Sequence, residues 1–143
     1  MHFLEDTYRL LNKYHQKAKT AKTYGTEELL YAAEVHMIEI IGSFDKITTT
    51  KLAQVLGITK GAVSQTASKL VNKGLIVKDT SPEKGNEIWI TLSESGEKVF
   101  AYHRNMHAAM LEEIDQVLKK LPPESIAAVD QIIQIIDRSL DRM

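Results

Sequence analysis

Cysteine is absent from this chain. That excludes disulfide bonds, thiolate zinc sites and redox sensing through a thiol. Proline occurs three times, and there is no low-complexity run, internal repeat or interdomain linker. No apolar stretch approaches the roughly 18 residues that span a bilayer, so no membrane partner is expected. The opening residues Met1-His2-Phe3-Leu4-Glu5-Asp6 carry neither a basic start nor a long apolar segment. No secretory signal is therefore expected, and a cytoplasmic location follows. Marks of catalysis are missing as well. There is no Gly-x-Ser-x-Gly turn and no glycine-rich phosphate loop ahead of Lys-Ser/Thr. His103 and His107 are spaced like the ligands of a zinc protease, but Arg104 stands where the general-base glutamate would be. An enzyme is not expected.

What is present describes an ordinary globular chain with an uneven charge. Its 143 residues suit one domain over 1–143, long enough to bury about 70% of the unfolded surface. Hydrophobic residues make up 43% and charged residues 26%. The net charge is only -1, yet the segment from Lys46 to Asn86 holds seven lysines against Asp79 and Glu83, a local charge of +5. The remainder is correspondingly acidic. A surface that meets phosphates needs local positive potential and not a basic whole.

Hydrophobic periodicity predicts six helices and a small β-hairpin, a mostly α fold. The first helix covers 3–19, with Leu4, Tyr8, Leu11 and His15 in register. Thr26 is placed to cap a second helix that runs to about Ile41, with Glu27 and Glu28 in its first turn. Ile47 is extended. Thr48 caps a third helix over 49–56, and Thr59 caps a fourth over 60–73, with Gly74 at the left-handed stop. Strands are expected at Leu75–Asp79 and Glu87–Leu92, joined by a projecting polar loop. In the second strand Ile88, Ile90 and Leu92 should face inward and Trp89 and Thr91 outward. Ser93 caps a fifth helix over about 94–120, whose stripe includes Val99, His103, Met106, Met110, Ile114 and Val117. Pro122-Pro123 opens the sixth, where Ile126, Val129, Ile132, Ile133, Ile136 and Leu140 form the last apolar stripe.

The centre of the chain carries the function. In Thr48-Thr-Thr-Lys-Leu-Ala53-Gln-Val-Leu-Gly57-Ile-Thr-Lys-Gly-Ala-Val63 a small residue, a turn glycine and an apolar anchor follow at spacings of four and six. A helix-turn-helix requires that series: Ala53 lets two helices cross closely, Gly57 takes positive φ, and Val63 anchors the second helix. Ala67, Leu70 and Val71 should continue the buried face. The opposite face offers Lys60, Ser64, Gln65 and Ser68, with Lys69 to one side. Short polar groups and amides on such a helix can read base edges in the major groove of duplex DNA. Thr49, at the start of the third helix, is a further candidate contact. At the hairpin tip Lys84 and Asn86 could reach a phosphate or the minor groove.

These features resemble the MarR family, regulators named after a multiple-antibiotic-resistance repressor. The likeness rests on Leu52-Ala53…Leu56-Gly57, on Leu70-Val-Asn-Lys-Gly74-Leu-Ile and on Thr91-Leu92-Ser93-Glu94-Ser95-Gly96. It implies a winged helix-turn-helix and a homodimer built from the terminal parts, about 1–25 and 105–143. It further implies a DNA-binding part at about 45–92, two recognition helices facing a pseudo-palindrome, and a ligand pocket between dimerisation and DNA-binding parts. The stripes Leu4, Tyr8, Leu11 and Ile132, Ile136, Leu140 suit such a dimer interface. One departure stands out. The family's Asp-x-Arg or Asp-Arg-Arg element of the wing is replaced here by Glu83-Lys84-Gly85-Asn86. Lysine lacks the planar fork that suits a narrow groove.

Glu34–Gly42 and His103–Met110 are similar to segments in two subgroups, one governing fatty-acid biosynthesis in response to acylated carrier protein, the other sensing zinc. His103 and His107 share a helix face. With His36 and Glu34 they would make a cysteine-free tetrahedral zinc site. The alternative is a set of half-buried histidines, each satisfied locally. Neighbouring methionines and isoleucines would line an acyl-chain tunnel or form plain core. His2 and His15 read as surface residues. The expected function is a ligand-responsive repressor that binds its operator as a homodimer. The other reading is a metal- or lipid-binding module that uses the winged fold for protein contacts.

Overall fold

A computed structural model describes residues 2–81, 83 and 85–142. Six helices and three short strands follow in the order α1 (His2–Ala18), α2 (Ala32–Gly42), β1 (Ile47–Thr48), α3 (Thr49–Leu56), α4 (Lys60–Asn72), β2 (Ile76–Asp79), β3 (Trp89–Leu92), α5 (Glu94–Leu118) and α6 (Pro123–Leu140). The strands form one antiparallel sheet in the order β1-β3-β2. Ile47 and Lys78 both pair with Ile90, and Thr48 and Asp79 both pair with Trp89. Paired residues share a sheet face. The Ile47–Ile90 row therefore faces the core, where both isoleucines are buried.

The chain divides into two compact units, Met1–Asn105 and Met106–Met143, with α5 running from one into the other. In the first unit, every buried hydrophobic residue described lies between Leu30 and Val99. α2 sits centrally there, with Val35, Met37, Ile38 and Ile41 all buried. Leu52 and Ala53 of α3 and Val63, Ala67 and Leu70 of α4 pack into the same cluster. Neither α1 nor α6 contains a buried residue.

Three local expectations are corrected. α2 starts at Ala32, so Thr26 does not cap it. Residues before the helix are held by a bridge, with Lys22 and Leu30 exchanging backbone hydrogen bonds of 3.0 and 2.8 Å. The first-turn carboxylate is Glu34, whose Oε2 accepts from the Tyr31 backbone N–H at 2.9 Å. Thr26 Oγ1 is buried and meets no hydrogen-bond partner among the described residues. Second, Val71 is exposed, one position past the Val63-Ala67-Leu70 stripe. Third, both hairpin strands are shorter than expected. Trp89 lies on the sheet face opposite buried Ile90, as expected, and the Lys46 ammonium lies over its ring, 5.1 Å from the centroid. Lys46 immediately precedes β1, whose Thr48 pairs with Trp89, and its ammonium reaches the indole's side of the sheet.

Candidate nucleic-acid interface

The helix-turn-helix is built from caps, one glycine and an internal ion pair. Thr48 Oγ1 accepts from the Lys51 backbone N–H at 3.1 Å and opens α3. Gly57 ends α3 at φ +65°, and the Ile58 N–H then donates to the Ala53 carbonyl at 3.1 Å. Thr59 Oγ1 accepts from the Ala62 N–H at 3.1 Å and opens α4. Ala53 and Val63 are both buried, as the close crossing of the two helices demands.

The far end of α4 is fixed more firmly than its start. Lys73 Nζ donates to Glu34 Oε1 at 2.7 Å and to the Leu29 carbonyl at 2.8 Å. The Glu34 side chain is 5% exposed and that of Lys73 26%. Lys73, counted among the basic residues of this segment, is thus a structural cation bound to α2 and not a phosphate contact. Gly74 turns the chain at φ +69°, and Ser93 Oγ donates to its carbonyl at 2.6 Å. The same oxygen accepts from the Gly96 N–H at 3.1 Å. A Cβ on Gly96 would lie 2.0 Å from the Leu75 carbonyl oxygen, so only glycine lets α5 start this close to the turn after α4.

With one face buried and both ends tied, α4 presents the other face to solvent. Lys60, Ser64, Gln65, Ser68 and Lys69 are all exposed along it. Thr49 is half-buried at the first turn of α3, and Asn86 is exposed on the hairpin. Lys84 lies outside the described residues. Sequence reasoning missed Lys78, whose Nζ lies 3.4 Å from Ser68 Oγ. Pairing with Ile90 puts Lys78 on the core side of the sheet, the side where α4 packs. Strand register would have revealed it, had the pairing been known.

Glu34 and His36, two of the proposed metal ligands, do not come together as expected. At 100° per residue Glu34 and His36 lie about 200° apart on α2 and so on opposite faces. Glu34 accordingly pairs with Lys73 of α4. The carboxylate on the face of His36 is Glu39, three residues on. Its Oε2 lies 3.1 Å from His103 Nδ1, and its Oε1 accepts from Arg104 Nε at 3.1 Å. His36 Nδ1 is 3.2 Å from the Tyr14 hydroxyl, and its ring meets that of His103 edge-on at 5.8 Å. His103 is buried. His107 belongs to the second unit. Among the described residues no group of three His, Asp or Glu side chains is arranged to hold a metal ion. A cleft of about 1080 Å³ follows α1, lined by residues that include Tyr8, Arg9, Asn12, Lys13, Lys17 and Lys22. Among the described residues no methionine or isoleucine lines it, and it is separate from the α2 and α5 residues expected to line an acyl-chain tunnel.

Residues 30–85 match the MarR family model. Among curated proteins, the chain is 22% identical over 132 residues to the uncharacterized HTH-type transcriptional regulator YhjH of Bacillus subtilis, covering 92% of this chain and 70% of that one. Among solved structures, it superposes on FabT of Streptococcus pneumoniae in complex with DNA. The TM-score is 0.69 at 21% identity, over 99% of this chain and 96% of that one. The adhesin competence repressor AdcR of Streptococcus pyogenes gives a TM-score of 0.71 at 20% identity, over 96% and 97% of the two chains.

Proposed function

We infer from the match of residues 30–85 to the MarR family model that this chain is a MarR-type DNA-binding transcriptional regulator and not an enzyme. α4 is its recognition helix. The observation that carries the reading is the division of α4 into a face anchored at Val63, Ala67 and Leu70 and an exposed face of Lys60, Ser64, Gln65, Ser68 and Lys69. Gln65 is the best candidate for base readout, since an amide pairs in two places with adenine. Lys60 and Lys69 are placed for phosphates, and Thr49 and Asn86 for flanking contacts.

The working form is a cytoplasmic homodimer on a pseudo-palindromic operator, with half-sites about one helical turn apart. Support for the dimer comes from the apolar residues left uncovered on α1, on α6 and on the end of α5, including Leu4, Tyr8, Leu11, Ile132 and Leu140. Ile136 of the same stripe is half-buried. Regulation is repression relieved by an effector that favours a dimer with wrongly spaced recognition helices. The polar cluster of Tyr14, His36, Glu39 and His103 joins α1, α2 and α5, and is where such an effector would act on helix placement.

The test is a gel-shift titration of the protein with DNA upstream of its own gene, against random competitor, with and without zinc. Saturable, salt-sensitive binding that outcompetes random DNA is expected. Equal affinity for both DNAs across an operator library would overturn the regulator reading.

A further inference from the structure

Resting on α4 as the recognition helix, we propose that Lys78 is a specificity-determining residue that commits the Ser68 hydroxyl to act as a hydrogen-bond donor toward DNA. A serine hydroxyl carries one donor and two acceptor positions and rotates freely, so alone it matches donor and acceptor bases alike. Lysine is different, because its ammonium has three donors and no acceptor. The Lys78 ammonium lies 3.4 Å from Ser68 Oγ, within reach of a long hydrogen bond in which the serine oxygen accepts. The hydroxyl hydrogen is repelled by that cation and turns away from it. Ser68 then offers O–H outward from the exposed face of α4.

The lysine is held for this purpose by the sheet. β2 pairs with β3 over four positions, from Ile76–Leu92 to Asp79–Trp89. Lys78 occupies the row of buried Ile90 and Ile47 at the β2 edge. Lys78 is half-buried, and its ammonium lies beside Ser68 of α4. The cation also penalises any donor brought near the serine oxygen, such as the amino groups of cytosine or adenine. It favours the acceptors of the major groove, guanine N7 and O6, adenine N7 and thymine O4. The wing root thus sets base preference through the recognition helix, without touching a base.

The experiment is operator selection from a randomised duplex library with the parent, Lys78→Gln, Lys78→Met and Ser68→Ala proteins, each first checked by thermal melting. Glutamine both donates and accepts, and methionine does neither strongly, so each returns the serine to its ambivalent state. The parent is expected to require an acceptor-bearing base at one half-site position. Where that base is a purine, its 7-deaza counterpart should bind roughly ten-fold more weakly. Both Lys78 variants and Ser68→Ala should lose about that discrimination at that position alone. Retained preference in both Lys78 variants, with only a salt slope reduced by about one, would overturn the proposal and make Lys78 a phosphate contact. A parent that selects no sequence over random DNA would sink the recognition-helix reading itself, a result distinct from the first.

Discussion

Residues 30–99 and the helices that flank them share one hydrophobic periodicity and reach opposite states. Val63, Ala67 and Leu70 of α4 lie on a stripe at helical spacing, and all three are buried. Leu4, Tyr8 and Leu11 of α1 and Ile132, Ile133 and Leu140 of α6 recur in the same way and are all exposed. α5 shows both states in one helix. Val99 and His103 are buried, whereas Met106, Met110, Ile114 and Val117, further along the same stripe, are exposed. Periodicity says that a face will be covered, and is silent on whether the cover comes from the same chain. Large exposed apolar patches mark interaction surfaces. The comparison therefore separates a part whose apolar stripes are covered within one chain from parts whose stripes are left exposed, the surfaces on which the proposed dimer rests.

The largest effects should break the self-sufficient part. Leu70→Ala removes a fully buried side chain from α4 and should lower stability by about 2–5 kcal/mol, read as a fall in the denaturant midpoint. If the midpoint stayed at the parent value, the winged core would not be the stabilising unit. Gly96→Ala forces a methyl into the Leu75 carbonyl and should cost about 3 kcal/mol. Thermal melting reads it, and a melting point unchanged from the parent would show that α5 can begin elsewhere.

Lys73→Ala leaves the Glu34 carboxylate buried without its cation and should cost about 2 kcal/mol, less than a fully buried pair because Lys73 is partly exposed. Adding Glu34→Gln should restore part of the loss; a double variant as unstable as the sum of its parts would argue against the pair. In the flanking parts, Ile132→Asp should leave the core's melting nearly unchanged while dissociating the dimer in sedimentation. A dimer of parent strength would place the interface elsewhere. The smallest effects fall on DNA. Gln65→Ala should weaken specific binding by about 1–3 kcal/mol at constant stability. Lys69→Ala should reduce the salt slope by about 0.9, the value for one phosphate. Parent values in either titration would remove that residue from the interface.

Much of the winged core was legible because its signals are local. A capping threonine, a turn glycine and a small residue at a crossing each act within a few residues, and Thr48, Thr59, Gly57 and Ser93 do what their positions required. The candidate interface was legible for the same reason, since α4 needs only its own period to separate Val63 from Ser64 and Gln65. Thr26 misled because Leu30, just beyond it, is held in a bridge to Lys22, and an N-cap signal is worth less than a long-range backbone pairing. Glu34 and His36 are two residues apart on α2, a spacing that by itself puts them on opposite faces of the helix.

By itself, then, the sequence determined the element order, the helix-turn-helix and the polar face of α4, because each depends on residues three or four apart. Only the tertiary structure decided that Lys73 belongs to Glu34, that Glu39 is the partner of His103 and that Lys78 stands beside Ser68. Those pairs join residues 39, 64 and 10 positions apart. Charge and hydrogen-bonding capacity are written in the sequence, but the partner that satisfies them is chosen by how helices and strands pack.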